Sequence, residues 1–390
     1  MKSFLLLVLS LMAGCQARSE VKGCLQGWVE FTCKYPEPKR KYTDIYVDNP
    51  RQTHTHSTEK DVWEIKGSFS LFHDTRNKKV RVAIKQLEHE DFGVYQCDFY
   101  QYECATDAVE LDLVDGKHGC QAPFIQTAYR TAKTTITCDY PGNTHLSSVK
   151  VFCKDNNLIC EDILSIKSSS LSNGTFTLRE TSSGFNVSIS DVSSQDAAVY
   201  WCGVESNDGR YRAAFRKIQL QVKDITTFSR SLTAGQNFTY WCRYPNGASV
   251  KKFICKGEDP SVCQRLASTA SPKKNTKFSM KDDIEKRNIT ITVREVTTDD
   301  TGTYWCGAES TAQGRSNLFF NRLLMTAVPS ATSPPSFTQP VTVPYGSFDH
   351  ASVLTIVVAL ALDVLLLLLM LTTYFLYTRF ASCWNTRRGA

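Results

Sequence analysis

Three pairs of cysteines recur along this chain of 390 residues with one constant spacing. The two cysteines of each pair are 64 residues apart, and successive pairs begin 105 and 104 residues apart. A fixed period of this kind is the sequence signature of repeated structural units. The pairs are Cys33 with Cys97, Cys138 with Cys202, and Cys242 with Cys306.

Each second cysteine ends the same motif, in which aspartate stands first, tyrosine fifth and cysteine seventh. The motif occupies residues 91–97, 196–202 and 300–306. A tyrosine two residues before the second cysteine is the tyrosine corner of immunoglobulin sandwiches. Alternating apolar residues precede each motif, as at 80–84, and predict strands with one buried face. Because the 64-residue interval leaves room for extra strands, the sequence predicts an all-β fold of three tandem variable-type immunoglobulin sandwiches.

The first cysteine of each pair ends a strand of its own, so each pair can bridge two sheets through the core. Such a bridge closes a loop of 64 residues, which the chain-entropy model associates with roughly 4 kcal/mol of stabilisation. Two further pairs lie where the third strand of a sandwich turns into the next. Each predicts a short disulfide that holds this hairpin. They are Cys153 with Cys160, and Cys255 with Cys263.

The two ends of the chain predict its compartment. Residues 1–17 combine a lysine, an apolar run and small residues, as a secretory signal peptide does. Residues 351–378 contain a single charged residue, Asp363, in a run long enough to cross a bilayer as one helix. Arginines follow this run, so the positive-inside rule predicts a single-pass type I protein of the plasma membrane with its N-terminus outside. An oxidising exterior favours disulfides over zinc ligands for the cysteines.

A stretch rich in proline, serine and threonine at 327–350 is too polar and stiff to pack a core, so we interpret it as a stalk. Three similar lengths then remain, which we call repeats 1, 2 and 3. The predicted domains are 18–115 for repeat 1, 116–223 for repeat 2 and 224–326 for repeat 3, followed by the stalk 327–350, the transmembrane helix 351–378 and a cytoplasmic tail 379–390.

The residues around the cysteine motifs of repeats 2 and 3 narrow the class of protein. Tyr-Trp-Cys-Gly-Val-Glu at 200–205 and Tyr-Trp-Cys-Gly-Ala-Glu at 304–309, together with the local cysteine pairs, closely resemble the polymeric immunoglobulin receptor and the leukocyte mono-immunoglobulin-like receptors. The resemblance implies a cell-surface immune receptor, in a family whose ligands include immunoglobulin Fc regions and exposed membrane phospholipids. Repeat 1 departs from the pattern, because Gln96 replaces the tryptophan and residues 42–49 contain no cysteine.

Three ectodomain cysteines remain without a partner in this scheme: Cys24, Cys104 and Cys120. One hypothesis joins Cys24 to Cys120 across the junction of repeats 1 and 2 and leaves Cys104 at a hairpin tip. The alternative joins Cys24 to Cys104 within repeat 1. In either case the remaining cysteine could form an intermolecular bridge.

Ligands of variable-type domains usually contact three loops at one end of the sandwich. In repeat 1 we expect these loops at 36–43, 51–57 and 99–106. The first is basic and the last is aromatic, beginning with Phe99, a combination suited to an anionic headgroup or an acidic protein surface. The alternative is that these are ordinary solvated loop residues. The candidate ligand contacts are Lys39, Arg40, Lys41, Tyr100 and Tyr102.

Four glycosylation sequons occur in repeats 2 and 3, and repeat 1 contains none. Sugar near the membrane and a bare distal domain fit a receptor that binds with its tip. The sequons begin at Asn173, Asn186, Asn237 and Asn288.

Asp363 lies near the middle of the predicted membrane helix, where a lone carboxylate is costly and usually has a partner. It could pair with a basic residue in another protein's membrane helix, share a proton in a homodimer, or remain singly protonated. The residues from Thr378 to Ala390 contain no tyrosine and therefore no tyrosine-based signalling motif. We accordingly expect signalling, if any, to pass through a membrane partner.

Other classes of function find little support. His54 and His56 alternate in one predicted loop, but without a third ligand they make a weak metal site, so we expect no metal and no cofactor. The net charge of +6 is interleaved with acids and does not indicate nucleic-acid binding. The chain carries no motif for a catalytic nucleophile, and we expect no enzyme. The predicted function is an immune receptor for immunoglobulin, phospholipid or protein; the alternatives are polymeric immunoglobulin transport and a non-signalling decoy or adhesion molecule.

Overall fold

The computed structural model describes residues 19–330, apart from residue 38 and the segments 101–103, 114–119, 140–148, 157–158, 167–169 and 271–276. The described residues, up to Ser330, belong to one compact unit. The predicted signal peptide, most of the stalk, the membrane helix with Asp363 and the tail lie outside the described residues. Among the described residues, no helix is long and apolar enough to span a membrane.

The described chain has an all-β, immunoglobulin-like fold. In repeat 1 the strands are β1 (Ser19–Gly23), β2 (Trp28–Lys34), β3 (Asp44–Asp48), β4 (His54–Ser57), β5 (Trp63–Lys66), β6 (Phe69–Asp74), β7 (Lys79–Lys85), β8 (Gly93–Tyr100) and β9 (Cys104–Leu113). In repeat 2 they are β10 (Gln121–Tyr129), β11 (Thr134–Asp139), β12 (Val149–Asp155), β13 (Cys160–Ile166), β14 (Ser170–Asn173), β15 (Phe176–Glu180), β16 (Gly184–Ile189), β17 (Ala198–Glu205) and β18 (Tyr211–Lys223). In repeat 3 they are β19 (Thr226–Thr233), β20 (Phe238–Arg243), β21 (Lys252–Lys256), β22 (Gln264–Ser268), β23 (Phe278–Asp283), β24 (Asn288–Val293), β25 (Gly302–Ala308) and β26 (Leu318–Val328).

Each repeat places two sheets around its own hydrophobic core. In repeat 1 the order β1-β9-β8-β3-β4 forms one sheet, and β2, β7, β6 and β5 lie in the other. Repeat 3 has the sheets β19-β26-β25-β21-β22 and β20-β24-β23. Alternation along the strands sorts the side chains, so that Val80, Val82 and Ile84 of β7 are fully buried while Arg81 points out of the core.

The tyrosine corner forms in all three repeats as the motif predicts. A short 3-10 turn ends at the aspartate of the motif, whose backbone carbonyl then accepts a hydrogen bond from the tyrosine hydroxyl. The oxygen–oxygen distances are 2.6 Å for Tyr95 to Asp91, 2.8 Å for Tyr200 to Asp196, and 2.6 Å for Tyr304 to Asp300.

Repeats 1 and 2 share one continuous sheet of nine strands, eight of them in the order β13-β12-β17-β18-β2-β7-β6-β5 and the ninth, β10, paired with β18 beside this path. The join is an antiparallel pairing of β18 with β2, in which Tyr211 lies opposite Phe31 and Ala214 lies opposite Trp28. The later part of β18 pairs with β10 of its own repeat. One long strand therefore ties the two repeats together through backbone hydrogen bonds.

The described residues contain six disulfides. Of the two alternatives for Cys24, the structure has the bond to Cys120, across the junction of repeats 1 and 2, and Cys104 is an exposed free thiol. The other five bonds are Cys33–Cys97, Cys138–Cys202 and Cys242–Cys306 within the cores, and Cys153–Cys160 and Cys255–Cys263 in the hairpins.

Candidate ligand-binding face of repeat 1

The outer sheet face of repeat 2 is buried where it meets repeat 1. Trp201, on β17, is only 6% exposed, and its indole Nε1 donates a hydrogen bond to Asp155 Oδ2 at 3.2 Å. The other carboxylate oxygen of Asp155 lies 2.9 Å from Lys85 Nζ of repeat 1. The apolar cluster at this junction consists of Trp28 from repeat 1 with Val151, Cys153, Cys160, Trp201 and Ala214 from repeat 2.

The junction of repeats 2 and 3 has the same design. Trp305, the counterpart of Trp201, is fully buried, and its Nε1 donates to the Gly257 carbonyl at 2.7 Å. Tyr129 of repeat 2 accepts a hydrogen bond from the backbone N–H of Phe319 at 2.6 Å. The cluster here consists of Tyr129 and Ala132 from repeat 2 with Phe253, Cys255, Trp305 and Phe319 from repeat 3.

These two junctions give a physical meaning to the Trp-Cys motif and to the hairpin disulfide. In repeats 2 and 3 the tryptophan and the hairpin cysteines form the surface against which the preceding repeat packs. Repeat 1 has the exposed Gln96 at the position of the tryptophan. Its departure from the family pattern therefore coincides with an outer face that the other repeats leave uncovered.

The strand register places a defined set of side chains on this face, which we call the outer face of repeat 1. Tyr46 of β3 lies between Asp98 of β8 and His56 of β4, its partners across the two ladders. The Tyr46 ring stacks on His56 at 4.5 Å between centroids and meets Tyr100 edge-on at 5.5 Å. The face consists of Asp44, Tyr46, Asp48, His54, His56, Gln96, Asp98, Tyr100, Cys104, Thr106 and Ala108.

Carboxylates surround the aromatic centre of the face. His56 Nε2 lies 3.4 Å from Asp44 Oδ1, and His54 Nδ1 lies 2.5 Å from Asp48 Oδ1. The hydrogen bond of Tyr100 with the neighbouring Cys104 thiol raises the pKa of the phenol to about 12. Tyr100 therefore keeps its proton at physiological pH, donates it in a hydrogen bond to the Cys104 sulfur and leaves its oxygen as an acceptor.

The basic loop between β2 and β3 reaches the edge of this face. Thr43, at its end, donates a backbone hydrogen bond to the Tyr100 carbonyl at 3.0 Å. Lys39 and Lys41 are exposed, whereas the guanidinium of Arg40 pairs with Glu37 at 2.9 Å. Among the candidate contacts, Tyr102 lies outside the described residues.

Two of the predicted loop positions are wrong. Phe99 is fully buried and packs against Tyr35 and Tyr42, with both centroid distances 5.3 Å, because β8 continues to Tyr100 and alternation turns Phe99 inward. The predicted loop at 51–57 contains strand β4, because the chain already turns at 49–53, where the Asn49 carbonyl accepts the N–H of residue 52 at 2.9 Å.

The histidines predicted in that loop therefore lie on a strand of the outer face. In the part of the chain that the structure describes, no group of three or more histidine, cysteine or acidic residues could hold a metal ion. The alternating polar and apolar residues of Asp44–Asp48 are the signal from which this face could have been found.

All four sequon asparagines lie outside repeat 1. Asn173 and Asn237 are exposed, whereas Asn186 and Asn288 are half-buried on β16 and β24 at positions that alternate with core residues. Repeat 1 itself therefore carries no sequon.

Parts of this chain are similar to known proteins. The family model for the immunoglobulin V-set domain matches residues 224–324. The polymeric immunoglobulin receptor of Oryctolagus cuniculus is 29% identical over 208 residues, which cover 51% of this chain and 26% of that protein. Human natural cytotoxicity triggering receptor 2 is 35% identical over 78 residues, covering 19% of this chain and 28% of that protein. A solved structure of the NK cell receptor NKp44 shows 25% identity, covers 27% of this chain and all of its own, and has a TM-score of 0.23.

The described residues have an immunoglobulin-like fold, residues 224–324 match the V-set family model, and the relatives named above are receptors that contain such domains. The predicted resemblance to the polymeric immunoglobulin receptor is confirmed, because that receptor recurs among the relatives from several mammals. The chain spans 26% to 32% of the length of these relatives.

Proposed function

We propose that this chain is a cell-surface receptor that binds an extracellular protein through the outer face of repeat 1 and the adjoining basic loop. The observation that supports this most directly is the contrast among the three repeats. The corresponding surfaces of repeats 2 and 3 bury Trp201 and Trp305 against a neighbouring repeat, whereas in repeat 1 Tyr100 is 39% exposed. A surface that no neighbouring repeat covers is open to a partner.

The chemistry of the site favours a protein ligand with basic and aromatic groups. The aspartates of the outer face attract cations, and the stacked Tyr46 and His56 offer a flat aromatic area. Lys39 and Lys41, in the basic loop at the edge of the face, add positive charge, which suits a partner that carries both acidic and basic groups. The name of the polymeric immunoglobulin receptor identifies that relative's ligand, so polymeric immunoglobulin is our first candidate here.

The proposal includes the predicted architecture around the site. Three variable-type domains at 18–115, 116–223 and 224–326 would stand on the stalk, with the signal peptide removed and the helix 351–378 in the plasma membrane. Asp363 would contact a membrane partner or a second copy. Glycans on the four sequon asparagines would surround the membrane-proximal repeats and leave repeat 1 bare.

Full-length protein on the surface of transfected cells provides the test. Fluorescent polymeric immunoglobulin, monomeric immunoglobulin and phosphatidylserine vesicles are the probes. We expect polymeric immunoglobulin to bind and Tyr100→Ala to weaken binding by roughly tenfold, as for an aromatic interface anchor. Glu90→Ala, in the exposed turn before β8, is the matched control and should bind normally. Vesicle binding without immunoglobulin binding would contradict a protein ligand.

The resemblance to the polymeric immunoglobulin receptor supports transport as a second candidate function. It would require movement of bound immunoglobulin across a polarised cell layer. Delivery of labelled polymeric immunoglobulin to the opposite chamber would support transport, and retention at the surface of entry would favour a signalling, decoy or adhesion role.

A further inference from the structure

Trp241 is the most exposed tryptophan side chain in the described part of repeat 3, at 62%. It lies on β20, where its neighbours Tyr240 and Cys242 point into the core and the indole therefore points away from it. A single exposed aromatic ring is common on protein surfaces, but an indole offers a flat apolar face and a polar N–H, against which another group can pack.

The register of the sheet places a glycosylation sequon beside this ring. In the pairing of β20 with β24, Trp241 lies opposite Thr290 and Arg243 lies opposite Asn288. Asn288 is therefore the diagonal neighbour of Trp241 on the same face, at about 7–8 Å. Asn288 and Thr290 are the first and third residues of the sequon.

The surroundings of Trp241 suit a sugar. Thr239 and Thr292 form a hydroxyl pair 3.2 Å apart on the same face, and Arg243 adds donors at its edge. The C–H face of a pyranose ring is apolar and packs on an indole, while its hydroxyls form hydrogen bonds to such groups.

A glycan on the other sequon of repeat 3, at Asn237, would be less well placed to cover Trp241. Asn237 precedes Trp241 by four residues along the same extended chain, which corresponds to about 13 Å. Its side-chain oxygen also accepts a hydrogen bond from the Glu295 backbone at 3.0 Å, which ties the asparagine to the turn before the 3-10 segment.

We propose that the N-linked glycan of Asn288 lies over Trp241 and shields it from water. The face of β20, β24 and β23 is then a glycan-covered surface and not a site for a protein partner. The inference concerns repeat 3 and does not depend on the ligand of repeat 1.

Hydroxyl-radical labelling of the full chain, produced in a glycosylating mammalian line, tests the shield by mass spectrometry. We expect glycopeptides to show sugar at Asn288, and labelling of Trp241 to rise several-fold in Asn288→Gln. Asn237→Gln is the matched control and should leave Trp241 labelling unchanged. Trp305, fully buried in the same repeat, is an internal reference, because its labelling would rise if a variant misfolded.

Enzymatic removal of N-glycans from the folded protein gives the same comparison without a substitution. Trp241 labelling should rise after this treatment while that of Trp305 stays low. An unoccupied Asn288, or equal labelling of Trp241 with and without the glycan, would overturn the proposal. An increase in Asn237→Gln as large as in Asn288→Gln would also overturn it.

Discussion

The hydroxyl of Tyr129 in repeat 2 accepts a hydrogen bond from the backbone N–H of Phe319 in repeat 3, with 2.6 Å between oxygen and nitrogen. Burial raises the pKa of Tyr129 to about 12, so the phenol stays neutral at physiological pH. The bond joins two repeats at a buried site, where an unpaired N–H is expensive.

Tyr129→Phe should therefore loosen the junction of repeats 2 and 3. It leaves the buried N–H of Phe319 without an acceptor, at a cost of about 1–3 kcal/mol. Hydrogen exchange of peptides that contain Phe319 measures the effect, and we expect faster exchange there. Tyr46→Phe on the exposed outer face is the control. Unchanged exchange at Phe319 would show that this bond does not hold the junction.

The tryptophans at the two junctions should matter more for stability than their counterpart in repeat 1, Gln96. Trp201→Ala removes a buried indole, which typically costs about 3–5 kcal/mol. Gln96→Ala removes an exposed side chain whose amide donates a hydrogen bond to Asp98 Oδ1 at 2.9 Å, and should cost only about 1 kcal/mol. Limited proteolysis between repeats 1 and 2 measures the difference. Equal sensitivity of the two variants would contradict the docking role of Trp201.

The parts of this fold that could be predicted from sequence are those that recur within each repeat. The cysteine interval and the tyrosine motif depend on local strand chemistry, so they indicated the sandwiches without knowledge of the junctions. The pairing of β2 with β18 could not be predicted, because it depends on how one repeat lies against the next. Gln96 showed in the sequence that repeat 1 differs from the other two. The reason for the difference could be seen only in the structure, where Trp201 packs in one buried cluster with Trp28 of the preceding repeat.

The candidate site was located only in part for a similar reason. The basic loop at Lys39 lies where the sequence indicated, whereas Tyr100, predicted in a loop, is the exposed last residue of strand β8. Phe99 was assigned to a loop because strand ends are hard to read from an aromatic run, and one further residue of β8 turns it into the core. The contribution of β3 and β4 was missed because short polar strands resemble loops.

The first repeat should loosen in mild acid because of His73. This side chain, at the end of strand β6, is buried and hydrogen-bonds the Tyr35 hydroxyl. Burial lowers the pKa of His73 from 6.5, and the nearby Lys60 lowers it further. The folded state therefore disfavours the protonated imidazole, so its contribution to stability is complete above the unfolded pKa near 6.5 and is lost as pH falls toward the folded pKa.

Hydrogen exchange of peptides from the loop 36–43, compared at pH 7.4 and pH 5.5 after correction for intrinsic rates, measures this change. We expect lower protection at the acidic pH in the native chain and little change in His73→Phe. His54→Phe on the outer face is the matched control and should respond as the native chain does. Equal acid sensitivity in His73→Phe would assign the effect to other groups.

The central claim is that the outer face of repeat 1 binds the ligand, and an engineered glycan on that face tests it most directly. Thr106→Asn with Ala108→Thr creates a sequon on β9 within the face, and Arg179→Asn creates one on the exposed β15 of repeat 2, where Thr181 supplies the hydroxyl.

The measurement is the binding of fluorescent polymeric immunoglobulin to cells that display each glycosylated variant at equal surface density. A sugar on the outer face should lower the affinity by at least roughly tenfold, because it excludes the ligand from Tyr46 and Tyr100. The Arg179→Asn protein should bind as the unmodified receptor does. Full binding by the variant with sugar at residue 106 would contradict the account.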